Sequence, residues 1–155
     1  MAIEVLNRQR LASVDRKRVA RVAKATLTAV NEQRRGITVV FVSDRKIRDL
    51  NREFRGKAQS TDVLAFPLDE PGSSPGSAGV LPASPQLGSN EYLGDVVVSA
   101  ETALRQAREA RHSLDREVDE LVLHGVLHLC GYDHETDSGR MNKLELKLRK
   151  KLLDR

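Results

Sequence analysis

A chain of 155 residues is long enough for one domain with a single sizeable hydrophobic core. Its 26 basic and 22 acidic residues give a formal net charge of +4, which favours anionic partners such as nucleic acid. Aromatic residues make up only 3% and tryptophan is absent, which argues against a platform that stacks several bases.

The lone Cys130 rules out an internal disulfide and suits a reducing compartment. The residues after Met1 do not resemble a signal segment, and no apolar run approaches the ~20 residues of a membrane span. We therefore expect a cytoplasmic protein with no membrane partner.

The first part of the chain predicts two strands and two helices. In chain order these are a strand at 3–7, a helix from 15 to about 32, a strand at 37–42 and a helix at 44–54. Asp15 and Ser43 are the expected caps of the two helices, and Gly36 is expected to break the first. The second strand is β-branched and apolar, so we expect it to be largely buried.

The remainder predicts two more strands and three helices. These are a strand at 62–66, a strand at 93–98, and helices at about 99–111, 113–130 and 137–153. The stretch 67–90 holds all five prolines and is expected to be an irregular loop. Strands and helices do not strictly alternate, which indicates an α+β fold. We predict a single domain over 1–155, with a small mixed four-stranded sheet packed with about five helices.

Three of the four histidines fall within eleven residues, at His124, His128 and His134. The i, i+4 spacing of the first two places both rings on one face of a helix, where they can share an ion. Gly131 follows the last expected helical turn and allows a chain reversal that brings His134 back. Three histidines leave one position of a tetrahedral zinc open, as in a catalytic site. We expect one Zn²⁺ per chain at the end of the fourth helix; the alternative is a set of packed or solvated histidines.

This segment also has the ligand spacing of metzincin proteases, H-x-x-x-H-x-x-G-x-x-H. In those enzymes the general base is a glutamate directly after the first histidine, whereas here the position is Gly125. Without that carboxylate a protease lacks the group that moves protons during peptide hydrolysis. Proteolysis is therefore the minor interpretation.

The segment His-Gly-Val-Leu-His-Leu-Cys-Gly-Tyr-Asp-His, 124–134, resembles the YbeY-type family of bacterial endoribonucleases. Two upstream segments fit the same family. One runs from 50 to 67 and includes Phe54-Arg55-Gly56-Lys57; the other is Leu-Gly-Asp-Val-Val-Val-Ser at 93–99. The loop at 67–90 looks longer than the connection usual in the family.

The resemblance implies a zinc-dependent, single-strand-specific endoribonuclease acting in ribosomal RNA maturation at the 16S rRNA 3′ end and in ribosome quality control. Its partners would be ribosomal RNA and the small ribosomal subunit. The family's metal histidines carry over to His124, His128 and His134, with His124 also counted as catalytic. Its functionally important arginine carries over to Arg55.

Arg55 lies at the predicted end of a helix, where an ordinary solvated arginine is the alternative. We expect it to bind a phosphodiester through its guanidinium fork and to oppose charge in the transition state. Lys57 is a second candidate for substrate binding, or else a surface lysine. A metal at the histidines would lower the pKa of a bound water towards ~7. Whether water or the ribose 2′-hydroxyl is the nucleophile is left open.

Two other functions share these residues. A metalloprotease would use the same metal ligands. A non-catalytic ribosome assembly factor would use zinc only as a structural ion that holds the C-terminal helices together. The basic clusters at 16–24 and 45–52 are candidates for binding the phosphates of an RNA backbone. The alternative is that they are ordinary solvated helix faces, as most such clusters are.

Overall fold

The computed structural model describes residues 3–56, 61–68, 92–132 and 139–154. Its elements are, in chain order, β1 (Ile3–Asn7), α1 (Arg16–Ala29), β2 (Gly36–Val42), α2 (Asp44–Arg55), β3 (Val63–Pro67), β4 (Tyr92–Ser99), α3 (Ala100–Ala110), α4 (Leu114–Leu129) and α5 (Arg140–Leu148). A π-helical turn, Arg149–Leu153, follows α5 directly. No helix among these residues is long and apolar enough to cross a membrane.

The four strands form one mixed sheet in the order β1-β2-β4-β3. β1 and β4 both pair with β2 in parallel, whereas β3 pairs with β4 antiparallel and lies at the edge. Every residue of β2 and β4 is buried, as expected for strands covered on both faces. The predicted α+β fold with a small mixed sheet and five helices is therefore confirmed. The prediction of a single domain over the whole chain stays a prediction.

The two faces of the sheet carry different helices because side chains alternate along each strand. One face, which includes Val96 and Val98 of β4, packs against α1, α3 and α4. The opposite face, which includes Val97 and Phe66, packs against Ile47 and Leu50 of α2. A third cluster joins α4 to α5 through Leu123, Leu127, Met141 and Leu148. This third cluster holds α5 beside the histidine-bearing helix.

The predicted caps Asp15 and Ser43 are confirmed, whereas the bounds of several elements differ from the predicted ones. Asp15, Ser43, Ser99 and Ser113 each accept a hydrogen bond from a backbone N–H in the first turn of their helix. The first helix was predicted to run to about Glu32 but ends at Ala29, because Asn31 adopts a left-handed conformation (φ 61°).

The third strand was predicted at 62–66, and the irregular loop was predicted to begin at Pro67. Instead Pro67 is the last residue of β3. The Asp62 carbonyl accepts from the Ser99 N–H, and the Leu68 N–H donates to the Leu93 carbonyl. By alternation the backbone N of Pro67 therefore faces the outer edge of the sheet. Proline is tolerated there because no ladder hydrogen bond is lost. The rest of the predicted loop falls almost wholly outside the described residues.

Candidate metal centre

Helix α4 carries the two histidines and begins with strong local signals. The Ser113 hydroxyl accepts a hydrogen bond from the Arg116 backbone N–H at 3.1 Å, and Asp115 and Glu117 lie in the first turn. Acidic side chains are favourable at this positive end of the helix dipole. The helix ends at Leu129, and Gly131 follows with φ +94°. The predicted role of Gly131 as the residue that reverses the chain is thus consistent with its left-handed backbone.

The rings of His124 and His128 face each other on one side of α4. Their Nε2 atoms lie 3.1 Å apart, and their ring centroids are 4.7 Å apart with planes at 66°. Two nitrogens bound to one tetrahedral zinc at ~2.0–2.1 Å would be about 3.3 Å apart. The pair therefore already has nearly the separation that two ligands of one zinc ion need.

The other ring nitrogen of His124 is held by an acidic side chain. Nδ1 of His124 hydrogen-bonds to Oε1 of Glu145 in α5, and Oε2 of Glu145 accepts from Arg149 at 2.5 Å. Burial alone would raise the pKa of Glu145, but the contacts with His124 and Arg149 lower it below its usual value. An ionised carboxylate can only accept, so a neutral His124 carries its proton on Nδ1. Its Nε2 then carries the lone pair, which is the kind of atom that binds a metal.

His134, the third predicted ligand, and Lys57, the second predicted substrate-binding residue, lie outside the described residues. Within the described ranges, no group of three or more His, Cys, Asp and Glu side chains could hold a metal. The zinc site therefore stays a prediction, in which the described residues supply two converging donors.

The contacts of α4 define where its histidines point. Successive helical residues are rotated by about 100° around the axis. Gly125, next to His124, faces Val63 of β3 and Val96 of β4. Leu123 and Leu127 pack against α5. His124 and His128 therefore point between the β3 edge of the sheet and α5.

Gly125 is a packing position. A Cβ atom built on it would lie 2.6 Å from a methyl group of Val96 and 3.1 Å from a methyl group of Val63. Both distances are shorter than side chains normally allow, so α4 approaches the sheet closely only because no side chain is present. The glutamate that a metzincin protease needs has no room here, which argues against the protease interpretation.

We expect Gly125→Ala to lower the free energy of unfolding. Overpacking a tight core lowers the free energy of unfolding by ~1–3 kcal/mol. The higher helix propensity of alanine raises it by at most about 1 kcal/mol. Denaturant titration followed by circular dichroism measures the balance. An increase in stability would show that helix propensity prevails and that the contact with Val96 relaxes freely.

Arg55 is held at the outer edge of β3. Its Nη2 donates to the carbonyl oxygen of Ala65 at 2.5 Å, and its guanidinium carbon lies 5.3 Å from the centre of the Phe66 ring. The carbonyl of Ala65 points away from β4 by the same alternation that places Pro67. The left-handed Gly56 (φ +70°) ends α2 directly after Arg55. Arg55 is thus oriented by cation–π and hydrogen-bonding contacts.

β3 connects the arginine to the histidine helix. Val63 contacts Gly125, beside His124, and Ala65 accepts the hydrogen bond from Arg55. Two residues along a strand span about 6.6 Å. Arg55 approaches β3 from the α2 side while α4 packs on the opposite face, so the two predicted catalytic residues flank one edge strand.

Cys130 follows the histidine pair at the end of α4. It is half-buried and packs against the main hydrophobic cluster. Burial raises the pKa of its thiol to about 12, so at neutral pH the thiolate that a metal would bind is disfavoured.

Glu145 and Arg149 were not identified from the sequence. The signal that was present is Glu145 at the buried face of an amphipathic helix, four residues after Met141 and three before Leu148. A carboxylate in such a stripe requires a partner when buried. Nothing in the sequence names His124 as that partner.

Comparison with known proteins identifies the family. The family model described as Endoribonuclease YbeY matches residues 4–153. A relative of that name from Alkaliphilus metalliredigens is 36% identical over 152 residues, covering 94% of this chain and 91% of its own. Another, from Anaeromyxobacter sp., is 43% identical over 134 residues, and the match spans 62% of that longer protein.

The solution structure of TM1509 from Thermotoga maritima has a similar fold. It is 26% identical, with a TM-score of 0.55 over 96% of this chain and 87% of that one. The family model spans nearly the whole chain, and one relative is matched over almost its full length. The chain therefore belongs to the endoribonuclease YbeY family.

Proposed function

We propose that this protein is a zinc-dependent endoribonuclease that cleaves single-stranded segments of ribosomal RNA, at the 3′ end of 16S rRNA, during small-subunit maturation and quality control. Membership of the YbeY family supports the RNA substrate and the reaction class. The observation that carries the chemistry is the pair of Nε2 atoms 3.1 Å apart on α4, with Nδ1 of His124 held by Glu145.

The donor set fits zinc. His124 and His128 would hold the ion together with His134, which follows the Gly131 reversal. Imidazole nitrogens are good zinc ligands, and three of them leave one position for substrate or water. A zinc ion held in this way supplies Lewis acidity and lowers the pKa of water to near neutrality.

The protein's own residues then orient the phosphodiester. Arg55 would present its guanidinium to the reacting phosphate, because Ala65 and Phe66 fix the plane of the group at the outer edge of β3. A preorganised cation stabilises charge that grows on the phosphate without reorganisation at the moment of reaction. Lys57, two residues on, would add a second positive charge.

Glu145 is not the general base of this reaction. It contacts Nδ1 of His124, whereas the proposed metal-facing atom is Nε2, on the far side of the ring. The residue directly after His124 is Gly125, so no carboxylate stands at that position either. The proton from the nucleophile must therefore go to water, or to a group outside the contacts described above.

We expect zinc-loaded protein to cleave single-stranded RNA and to leave duplex RNA and casein intact. The experiment uses the full chain with its zinc content measured, end-labelled RNA of both kinds, and a chelator-treated sample. Turnover of casein would favour the metalloprotease. A protein that holds one zinc and binds RNA without cleaving it would instead be the assembly factor in which zinc staples the C-terminal helices.

A further inference from the structure

A chain of ionic contacts links the histidine face of α4 to α5. Glu145 is only 5% exposed, and its two oxygens have separate partners, Nδ1 of His124 and Nη2 of Arg149. A buried carboxylate is costly unless it is paired and hydrogen-bonded. Both conditions are met here by groups on two different helical segments.

Arg149 is itself held from both sides. Its Nη1 lies 3.0 Å from Oε1 of Glu120 in α4, while its Nη2 contacts Glu145. The second oxygen of Glu120 accepts from Nε of Arg116 at 2.7 Å. Arg149 therefore bridges the carboxylate that contacts Nδ1 of His124 and a second carboxylate, Glu120, which also binds Arg116.

This arrangement fixes the ring of His124 in orientation and tautomer. With Nδ1–H donated to Glu145, rotation of the ring would break that hydrogen bond and leave the buried carboxylate one partner short. The Nε2 lone pair is directed at the ring of His128 at 3.1 Å. A carboxylate on the second nitrogen of a metal-bound histidine also raises the basicity of the ligand.

We propose that Glu145, oriented by Arg149, is a positioning residue for His124 that sets the zinc affinity of the site. This inference rests on the proposed zinc centre and adds two residues to it. The competing explanation is that Glu145 and Arg149 only fasten α5 to α4. Glu120 separates the two explanations, because it shares Arg149 with Glu145, whereas Glu145 is the carboxylate that hydrogen-bonds to Nδ1 of His124.

The test compares Glu145→Gln with Glu120→Gln in the full chain. Each change keeps the size of the side chain and removes one carboxylate from Arg149, so a fastening role predicts similar effects. A positioning role predicts that Glu145→Gln weakens zinc binding by ~10–100-fold, the usual effect of losing such a partner, while Glu120→Gln leaves it unchanged. Zinc affinity is measured by competition with a chelator at fixed pH, and folding by thermal unfolding of the metal-free proteins.

Cobalt substitution gives a second readout. The visible spectrum of Co²⁺ reports the geometry and donors of its site, so Glu145→Gln should shift the spectrum and Glu120→Gln should not. If Glu145→Gln does not fold, Arg149→Gln takes its place, since it removes the cation that orients Glu145 and retains the carboxylate. Arg149→Gln is likewise expected to weaken zinc binding relative to Glu120→Gln.

Equal zinc affinity and equal cobalt spectra in wild type and Glu145→Gln would overturn the positioning role. Equal losses in Glu145→Gln and Glu120→Gln would overturn it too, in favour of fastening. Absence of zinc binding by the wild-type protein would instead overturn the proposed metal centre.

Discussion

Replacing His124 by alanine is expected to lower single-turnover RNA cleavage by at least ~10³-fold, equivalent to about 4 kcal/mol of transition-state stabilisation. The change removes one of the two converging Nε2 atoms. It also leaves Glu145 without the group that its Oε1 contacts. Zinc content should fall together with activity, because two histidines do not replace the three that hold a catalytic zinc.

His112 provides a matched control for this variant. It lies just before α4, and its Nε2 is 2.7 Å from Oε1 of Glu117, away from the histidine pair. His112→Ala should keep both zinc content and cleavage rate. If His124→Ala, verified by sequencing of the gene, keeps wild-type activity, the reaction does not depend on this side chain.

The sheet, its helices and their caps were predictable because the signals are local. Asp15, Ser43 and Ser113 each precede an amphipathic segment, and a capping side chain bonds within three residues of itself. β2 and β4 are buried over their whole length and mostly apolar, because both faces of the sheet are covered there. Such strands are recognised without any knowledge of their partners.

The wrong boundaries depend on pairing or on a single backbone angle. Pro67 belongs to β3 only because its nitrogen faces away from β4, which is a property of the register. The end of α1 is set by the left-handed Asn31, and asparagine adopts that conformation only in some contexts. A sequence without structure does not contain either fact.

In the candidate site, too, some features follow from local sequence and others depend on tertiary contacts. The histidine pair follows from helical periodicity, since residues four apart share a face. The contact between His124 and Glu145 joins residues 21 positions apart on two helices, and the packing of Leu123 and Leu127 against α5 brings it about. The requirement for glycine at 125 also comes from tertiary packing, because the neighbouring methyl groups belong to β3 and β4.

The second large effect concerns Arg55. We expect Arg55→Ala to lower cleavage by at least ~100-fold, about 2.7 kcal/mol, while zinc content stays unchanged. The structure gives the reason: the guanidinium is held by Ala65 and Phe66 before substrate arrives, so its charge is preorganised. Arg55→Lys should recover only part of the rate, because lysine keeps the charge and loses the bidentate fork.

The measurement compares single-turnover cleavage with RNA binding at fixed salt, for wild type, both Arg55 variants and Arg52→Ala. Arg52 lies on the same helix and pairs with Asp49 at 3.3 Å on an exposed surface. Removing it takes the same charge from α2, so any purely electrostatic loss of RNA affinity should appear in both alanine variants. A loss of rate confined to the Arg55 variants places the effect in the transition state. If Arg55→Ala cleaves as fast as Arg52→Ala, the contacts with Ala65 and Phe66 serve only to cover the edge of β3, and Lys57 becomes the next residue to test as the phosphate-binding cation.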